Sequence, residues 1–293
     1  MISVPGMIPA FPPVWAEVFG EDEFGVFAEF VLKEVRFVWR WIPPGRFLMG
    51  SPEDEVGRWD AEGPQHEVTI SRGFWLGETP VTQAQWMALR ADNPSGFKGR
   101  DHPVENVTWD QSESFAADLN AAIPGLAAGL PTEAQWEYAC RAGTTGAFHD
   151  GSFCTVPEGK DPALDRLGWF EKNSGAETHP VKQKLSNAWG LYDLHGNVWE
   201  WCCDQWEGNA YTDRKGGVVD RVSEAGDPGD FRVARGGSWL NQARNCRAAI
   251  RDRGRLGDHW DFRGFRLAAG QEIPAAEPVL GAERLPPERR SRG

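Results

Sequence analysis

Cys246 closes the stretch GGSWLNQARNC, Gly236 to Cys246, and a thiol is the most reactive side chain this segment offers. A cysteine attacks as its thiolate, so a working nucleophile needs a neighbouring base or cation to lower its pKa. No histidine adjoins Cys246; the nearest, His259, stands in a separate segment. The other reading of Cys246 is a small residue packed beside the Gly-Gly turn. The residues around it have a different chemistry. Leu240-Asn241-Gln242, then Ile250, Asp252 and Gly254-Arg255, then Asp258-His259-Trp260-Asp261-Phe262 mix aromatic, charged, aliphatic and glycine positions without a period. A core would be uniformly apolar and a solvated loop uniformly polar. A mixed set on a rigid support suits a binding surface, with Trp260 and Phe262 as anchors and the Asp, His and Arg side chains setting specificity.

Such a set needs elements to hold it. Three segments carry Thr-x-x-Gln, at Thr82/Gln85, Thr108/Gln111 and Thr132/Gln135. In each, the threonine can cap the amide three residues on while the glutamine reaches back, so each predicts a helix start. Phe115, Ala116 and Leu119 recur at helical spacing behind the second, and Gly143 is placed to close the third. Short strands are expected at EVTI, GFWLGE, RVARGG, CRAAIR and GFRLAAG, joined by Gly, Pro and Asn turns. With 34 Gly, 21 Pro and 15 Trp, the chain reads as a loop-rich α+β fold pinned by large aromatics. Residues 1–38 are expected to form an extension packing on a main domain over 39–270, and 271–293 a flexible tail.

Composition removes several function classes. The net charge is 31 − 43 = −12, which repels phosphate backbones and argues against a nucleic-acid partner. The basic cluster from Arg244 to Arg255 is interleaved with Asp and apolar residues and reads as a mixed solvent-facing surface. No apolar run approaches the ~20 residues of a membrane span. Five cysteines with no CxxC spacing argue against a disulfide framework or structural zinc. The N-terminus lacks the layout of a signal peptide, so a cytoplasmic location is expected, with display by another component left open.

Six motifs occur in order: IPPGRFLMGSPEDE, EGPQHEVTISRGFWLGETPVTQAQW, HPVENVTWDQSESF, LPTEAQWEYACRAG, NAWGLYDLHGNVWEW and RGGSW…GFRLA. Together they resemble the formylglycine-generating enzyme family, also called the sulfatase-modifying-factor domain. The resemblance implies a C-type-lectin-like fold. It also implies a test of chemistry, because the family's oxidases bind copper through two cysteines. Here Cys246 matches the second of these and Asn241 stands in place of the first. An amide is a poor ligand for Cu(I), so the resemblance with that substitution argues against copper and against oxidase chemistry. A branch that forms carbon–sulfur bonds at iron needs histidines on an added helical domain, and the six histidines here include no HxxxH pair. The family often holds calcium at LYDLHGNVWEW. Carried over by position, the ligands would be the Asp193 and Glu200 carboxylates with the Gly196 and Val198 carbonyls. The other role for the two acids is to cap amides or pair with arginines.

The segment 232–268 also resembles the variable proteins of diversity-generating retroelements, whose C-terminal form is GGSW…RNCR.A.R…GFR. There, positions with adenine-rich codons are replaced by many residue types. Arg263 and Leu256 depart from that form, and Gln242 and Trp260 need a template codon other than Asn. The resemblance implies a non-catalytic protein that presents Leu240, Asn241, Gln242, Ile250, Asp252, Gly254, Arg255, Asp258, His259, Trp260, Asp261 and Phe262 to a macromolecular ligand, a protein or a glycan. The alternative is an enzyme of the formylglycine-generating type with altered chemistry.

Overall fold

A computed structural model of the chain describes residues 12–212, 217–220 and 231–270. Each Thr-x-x-Gln segment begins a helix there: α1 (Gln83–Leu89), α2 (Trp109–Ala122) and α3 (Glu133–Arg141). In all three the threonine oxygen accepts the amide of the glutamine while the glutamine side chain accepts the threonine amide. Two orphan donors are satisfied at each start. Behind the α2 cap, Phe115, Ala116 and Leu119 are buried. The end of α3 differs in detail from the sequence expectation: Ala142 itself turns left-handed at φ 43°, and Gly143 follows at φ 91°. A one-turn helix, α4 (Leu164–Leu167), completes the helices among the described residues.

The strands are short and fall into three sheets. In the largest, β1 (Val18–Asp22), β2 (Gly25–Leu32), β3 (Val35–Ile42), β6 (Phe74–Gly77) and β12 (Ala268–Ala269) lie in that order. The N-terminal residues from Val18 thus enter the same sheet as the C-terminal Ala268 and Ala269. A second sheet orders β10 (Arg251–Arg255), β9 (Phe231–Arg235), β7 (Trp199–Gln205) and β11 (Arg263–Gly264). A third joins β4 (Gly45–Met49), β5 (His66–Ile70) and β8 (Val218–Val219). This is an α+β fold with few helices and much irregular chain. Residues 271–293, expected as a tail, lie outside the described residues.

One expected strand does not form. Of CRAAIR, Cys246 ends a 3-10 turn (Ala243–Cys246), residues 247–250 are buried irregular chain, and β10 begins only at Arg251. The reason lies in the partner of its carbonyls. Ala248 and Ala249 give theirs to the Arg235 guanidinium at 2.8 and 3.3 Å instead of to a neighbouring strand.

Arginine–glutamate pairs tie the irregular segments together. Arg235 on β9 reaches Glu137 at 2.5 Å and Glu133 at 3.1 Å, both on α3. Arg251 takes Glu133 through two nitrogens at 2.6 and 2.9 Å, and Arg247 takes Glu62 at 2.6 and 2.8 Å. All of these side chains are buried. The planar five-donor fork of arginine suits such two-point contacts. The cluster that reads as a solvent-facing surface therefore divides: Arg247 and Arg251 turn inward on carboxylates, while Arg253 and Arg255 face water.

Candidate ligand-binding face

The rim of the second sheet carries the exposed part of the mixed set. Trp260 is 51% exposed and Leu240 37%, and Arg255 and His259 also face solvent. Half-buried Phe262 stacks against Trp260 with ring centroids 5.9 Å apart and planes 8° from parallel. Main-chain and indole hydrogen bonds stitch the two halves of the face. Trp239 Nε1 donates to the Asp261 carbonyl at 2.9 Å, and the Trp199 amide donates to the Phe262 carbonyl at 2.8 Å. Asp258 turns back and accepts the Arg255 amide at 2.9 Å, which closes the loop between β10 and β11. Leu240-Asn241-Gln242 and Trp260-Asp261-Phe262 thus adjoin, although about twenty residues separate them in sequence.

Four of the residues expected on the face are part of its support. Ile250 is buried in the main apolar cluster. Gly254 is buried where a Cβ would lie 1.8 Å from an Arg263 nitrogen and 2.5 Å from the Trp201 ring. Asp252 is held by Arg263 at 2.8 Å, and the same guanidinium lies 4.6 Å over the Trp201 ring. This pairing explains the departure at Arg263, which replaces an apolar residue by one that reaches Asp252. Asn241 Oδ1 accepts from Trp199 Nε1 at 2.8 Å and from Ser238 Oγ at 2.6 Å. Its amide is locked by two donors, and its role is structural. Gln242 is half-buried at the start of the 3-10 turn, where its backbone carbonyl accepts the Asn245 amide at 2.9 Å.

Cys246 sits behind this rim. It is wholly buried, and burial pushes its thiol well above the usual range, the opposite of an activated nucleophile. The Gly-Gly turn exists to let it in. At Gly237 (φ 76°) a Cβ would lie 2.6 Å from the Cys246 sulfur and 2.4 Å from the Asn245 carbonyl. Its own carbonyl accepts from His195 Nδ1 at 2.7 Å, and His195 Nε2 accepts the His149 amide at 3.0 Å. Those two bonds fix His195 as the neutral Nδ1–H tautomer.

With that geometry in hand, similarity to known proteins can be read residue by residue. The sequence profile of the sulfatase-modifying factor enzyme 1-like domain matches residues 36–271. The chain belongs to that family. It is 31% identical over 215 residues to the formylglycine-generating enzyme of Thermomonospora curvata, covering 70% of this chain and 67% of that one. It is 30% identical over 218 residues to the chaperone protein LppX of Paenibacillus barcinonensis, covering 59% of this chain and 71% of the other. Among solved structures it is similar to Treponema denticola variable protein 1, with a TM-score of 0.70 and 29% identity over 83% of this chain and 98% of that one. Proteins similar to this chain thus bear names of different functions, so the site and not the fold must decide.

The calcium position that the sequence resemblance implies illustrates the point. Glu200 is buried under Arg266, whose Nε and Nη2 donate to its two oxygens at 2.6 and 2.7 Å, and Trp136 Nε1 adds a third bond at 2.6 Å. Asp193 accepts the Lys182 amide at 2.8 Å and the Asn197 side chain at 3.3 Å, and burial raises its carboxyl to about 6. Gly196 (φ 98°) presses against the Trp169 carbonyl, and Val198 is buried. Calcium takes about six to eight oxygens and gains most from ionised carboxylates. Here one acid is already neutralised by a guanidinium, which also repels a dication, and burial makes the other harder to ionise. The residues as placed do not fit calcium, and no role is derived through it. Among the described residues, no group of three or more His, Cys, Asp or Glu side chains is arranged to hold a metal ion.

Sequence reasoning missed a second wall of the face. The loop from Gly96 to Asn106 runs beside it: the Asn106 amide donates to the Trp260 carbonyl at 3.0 Å, and Phe97 meets Trp239 edge-on at 5.3 Å. Asn106, left-handed at φ 61°, is the residue that turns this loop onto the face. The motif HPVENV marks the segment in sequence, but nothing in it states which distant residues it touches.

Proposed function

We propose that this chain is a non-catalytic binding protein whose rim, Leu240, Arg255, His259, Trp260 and Phe262 with Asp258, Asp261 and Gln242, presents to a protein or glycan surface. The observation that carries the reading is the division of one segment into two parts. A buried, ion-paired frame holds its shape, and a chemically mixed exposed rim stands on it. An exposed aromatic anchor on a rigid support is the pattern of a binding hot spot. Likeness to a variable protein at 29% identity supports diversification of the rim. On that reading, the codons for 235–266 recur nearby in altered form beside a reverse transcriptase gene, with differences confined to adenines.

The competing reading, an oxidase with altered chemistry, is favoured by the identity to a formylglycine-generating enzyme. It lacks the first of the two thiols, and the Asn241 oxygen that stands there is already committed to two donors. Screening of purified protein against glycan and protein arrays separates the two. Trp260→Ala is expected to abolish capture of the partners found while leaving the melting temperature unchanged. Tight Cu(I) binding with oxidation of a cysteine peptide, or partners indifferent to Trp260→Ala and Leu240→Ala, would defeat the binding reading.

A further inference from the structure

Six arginines of the segment 232–268 lie on carboxylates: Arg235, Arg244, Arg247, Arg251, Arg263 and Arg266. Arg253 and Arg255 do not. Both are exposed on β10. Neither makes an ion pair among the described residues, in a chain with 43 Asp and Glu against 31 Lys and Arg. The acids beside them are turned elsewhere. Asp258 accepts the Arg255 amide, not its guanidinium, and Asp252 is held by Arg263.

The two guanidiniums are nevertheless held in place. Residues two apart on a strand share a face and stand about 7 Å apart. In the register of β10 with β9, Arg255 is opposite Phe231 and Arg253 opposite Val233. Phe231 gathers both: the Arg253 guanidinium lies 5.1 Å from its ring centroid and that of Arg255 5.4 Å. Trp206 adds a second ring to Arg253 at 5.6 Å. Stacking of this kind removes part of the rotamer freedom that binding would otherwise cost. Two cations gathered on one ring also repel each other. An anionic ligand relieves that repulsion and uses the donor forks that the rings leave free.

We propose that Arg253 and Arg255 receive two carboxylates, borne at alternate residues by an extended acidic segment of a protein partner. The inference rests on the reading of the rim as a binding face, to which Arg255 belongs, and names the chemistry that its β10 flank recognises. Alternate side chains of an extended peptide also recur every ~7 Å. Carboxylates two residues apart therefore match the two guanidiniums one to one, each in the two-point geometry that the groups share. β10 is the outermost strand of its sheet, so no neighbouring strand stands where such a segment would lie. The Arg255 amide is already taken by Asp258, so recognition is by side chains and not by an added strand. A net charge of −12 favours a ligand with few charges, because long-range repulsion grows with each negative charge added. Two carboxylates answered on contact suit that field better than a heavily sulfated glycan does.

The probe is an acetylated and amidated octapeptide of four Glu-Thr repeats, titrated against the full chain at low salt while the arginine Nε–H signals are followed by NMR. Shifts are expected at Arg253 and Arg255, with affinity about tenfold above that of the Gln-Thr octapeptide. The isomer built of Glu-Glu-Thr-Thr repeats carries the same charge without the spacing and should bind several-fold more weakly. Arg253→Gln and Arg255→Gln should each weaken binding about tenfold. Neither change should move the melting temperature, since both side chains are exposed and without an ion pair. Equal affinity for either control peptide, indifference to the paired substitution, or tighter binding of a sulfated disaccharide would overturn the proposal. If the octapeptide fails while Trp260→Ala still abolishes partner capture, the arginine pair is refuted and the face stands. If the octapeptide binds through both arginines while Trp260→Ala changes nothing, the rim reading is the one that falls.

Discussion

Arg235 and Trp260 are both large side chains of the segment 232–268, yet they belong to regions with opposite rules. Around Arg235 every charge is matched: Glu137, Glu133 and two carbonyls take its guanidinium, and Arg251 shares Glu133. Around Trp260 the indole faces water with Phe262 stacked on it and makes no hydrogen bond among the described residues; the backbone carbonyl is held by the Asn106 and Arg263 amides. The frame has thus placed the rim by gripping its main chain and leaving its side chains unspecified. A scaffold of this kind tolerates substitution at Trp260 and forbids it at Arg235. The lesson is that buried charge can do what regular secondary structure does elsewhere, fixing irregular chain at named points.

The strongest break of that contrast is a paired substitution. Arg235→Ala leaves Glu137 and Glu133 short of a partner in the interior, and loss of one member of a buried ion pair costs about 3–5 kcal/mol. Trp260→Ala, on an exposed site, should stay within about 0.5 kcal/mol of the parent. Urea unfolding of both variants measures the difference. If the two cost the same, the division into frame and rim has no energetic content.

A second test asks whether the frame behind Cys246 depends on neutral histidines. Burial lowers His149 to about 4, and burial also lowers His195, stacked 4.9 Å away, well below its ordinary value of 6.5. Each folded-state pKa is depressed for a base, so the unfolded chain binds more protons between pH 6.5 and 4. Stability from this pair is complete above 6.5 and drains away as pH falls through that window. Glu105, raised to about 7, acts in the opposite direction between 7 and 4.5 and would mask the trend in the parent alone. The comparison to make is with His149→Gln. The stability of the parent relative to that variant should drop by about 3 kcal/mol from pH 6.5 to 4, a value set by the shift of His149. A difference that does not change with pH would mean that His149 is not buried neutral.

The sequence makes the frame far more legible than the face. Thr82, Thr108 and Thr132 announce their helices because a capping box is local, complete within four residues. The ordered motifs carry the fold for the same reason, each being a short turn or strand with its own glycine or tryptophan. What escaped is what depends on partners far along the chain. Ile250, Asp252 and Gly254 look like rim residues in sequence, and only the meeting of β10 with Arg263 and Trp201 shows them to be support. Asn241 looks like an exposed polar residue until Trp199, forty-two positions earlier, donates to it. Arg253 gives no signal at all, since an unpaired cation is defined by the carboxylate that never reaches it.

The smallest effect expected is the one that most sharpens the account of the frame. If Arg266 supplies the positive charge at Glu200, calcium has nothing left to neutralise there except Asp193, whose buried carboxyl holds its proton to about pH 6. Dialysis against EDTA followed by addition of millimolar calcium should then leave the melting temperature unchanged at pH 6, where Asp193 is half-protonated. It should also stay unchanged at pH 8, where Asp193 is ionised and competition from a dication is strongest. A rise at pH 8 alone would show Asp193 acting as a ligand beside an intact Arg266–Glu200 pair. A rise at both would mean that the guanidinium yields Glu200 to the metal. The frame would then be closed by a bound ion, not by its own side chains.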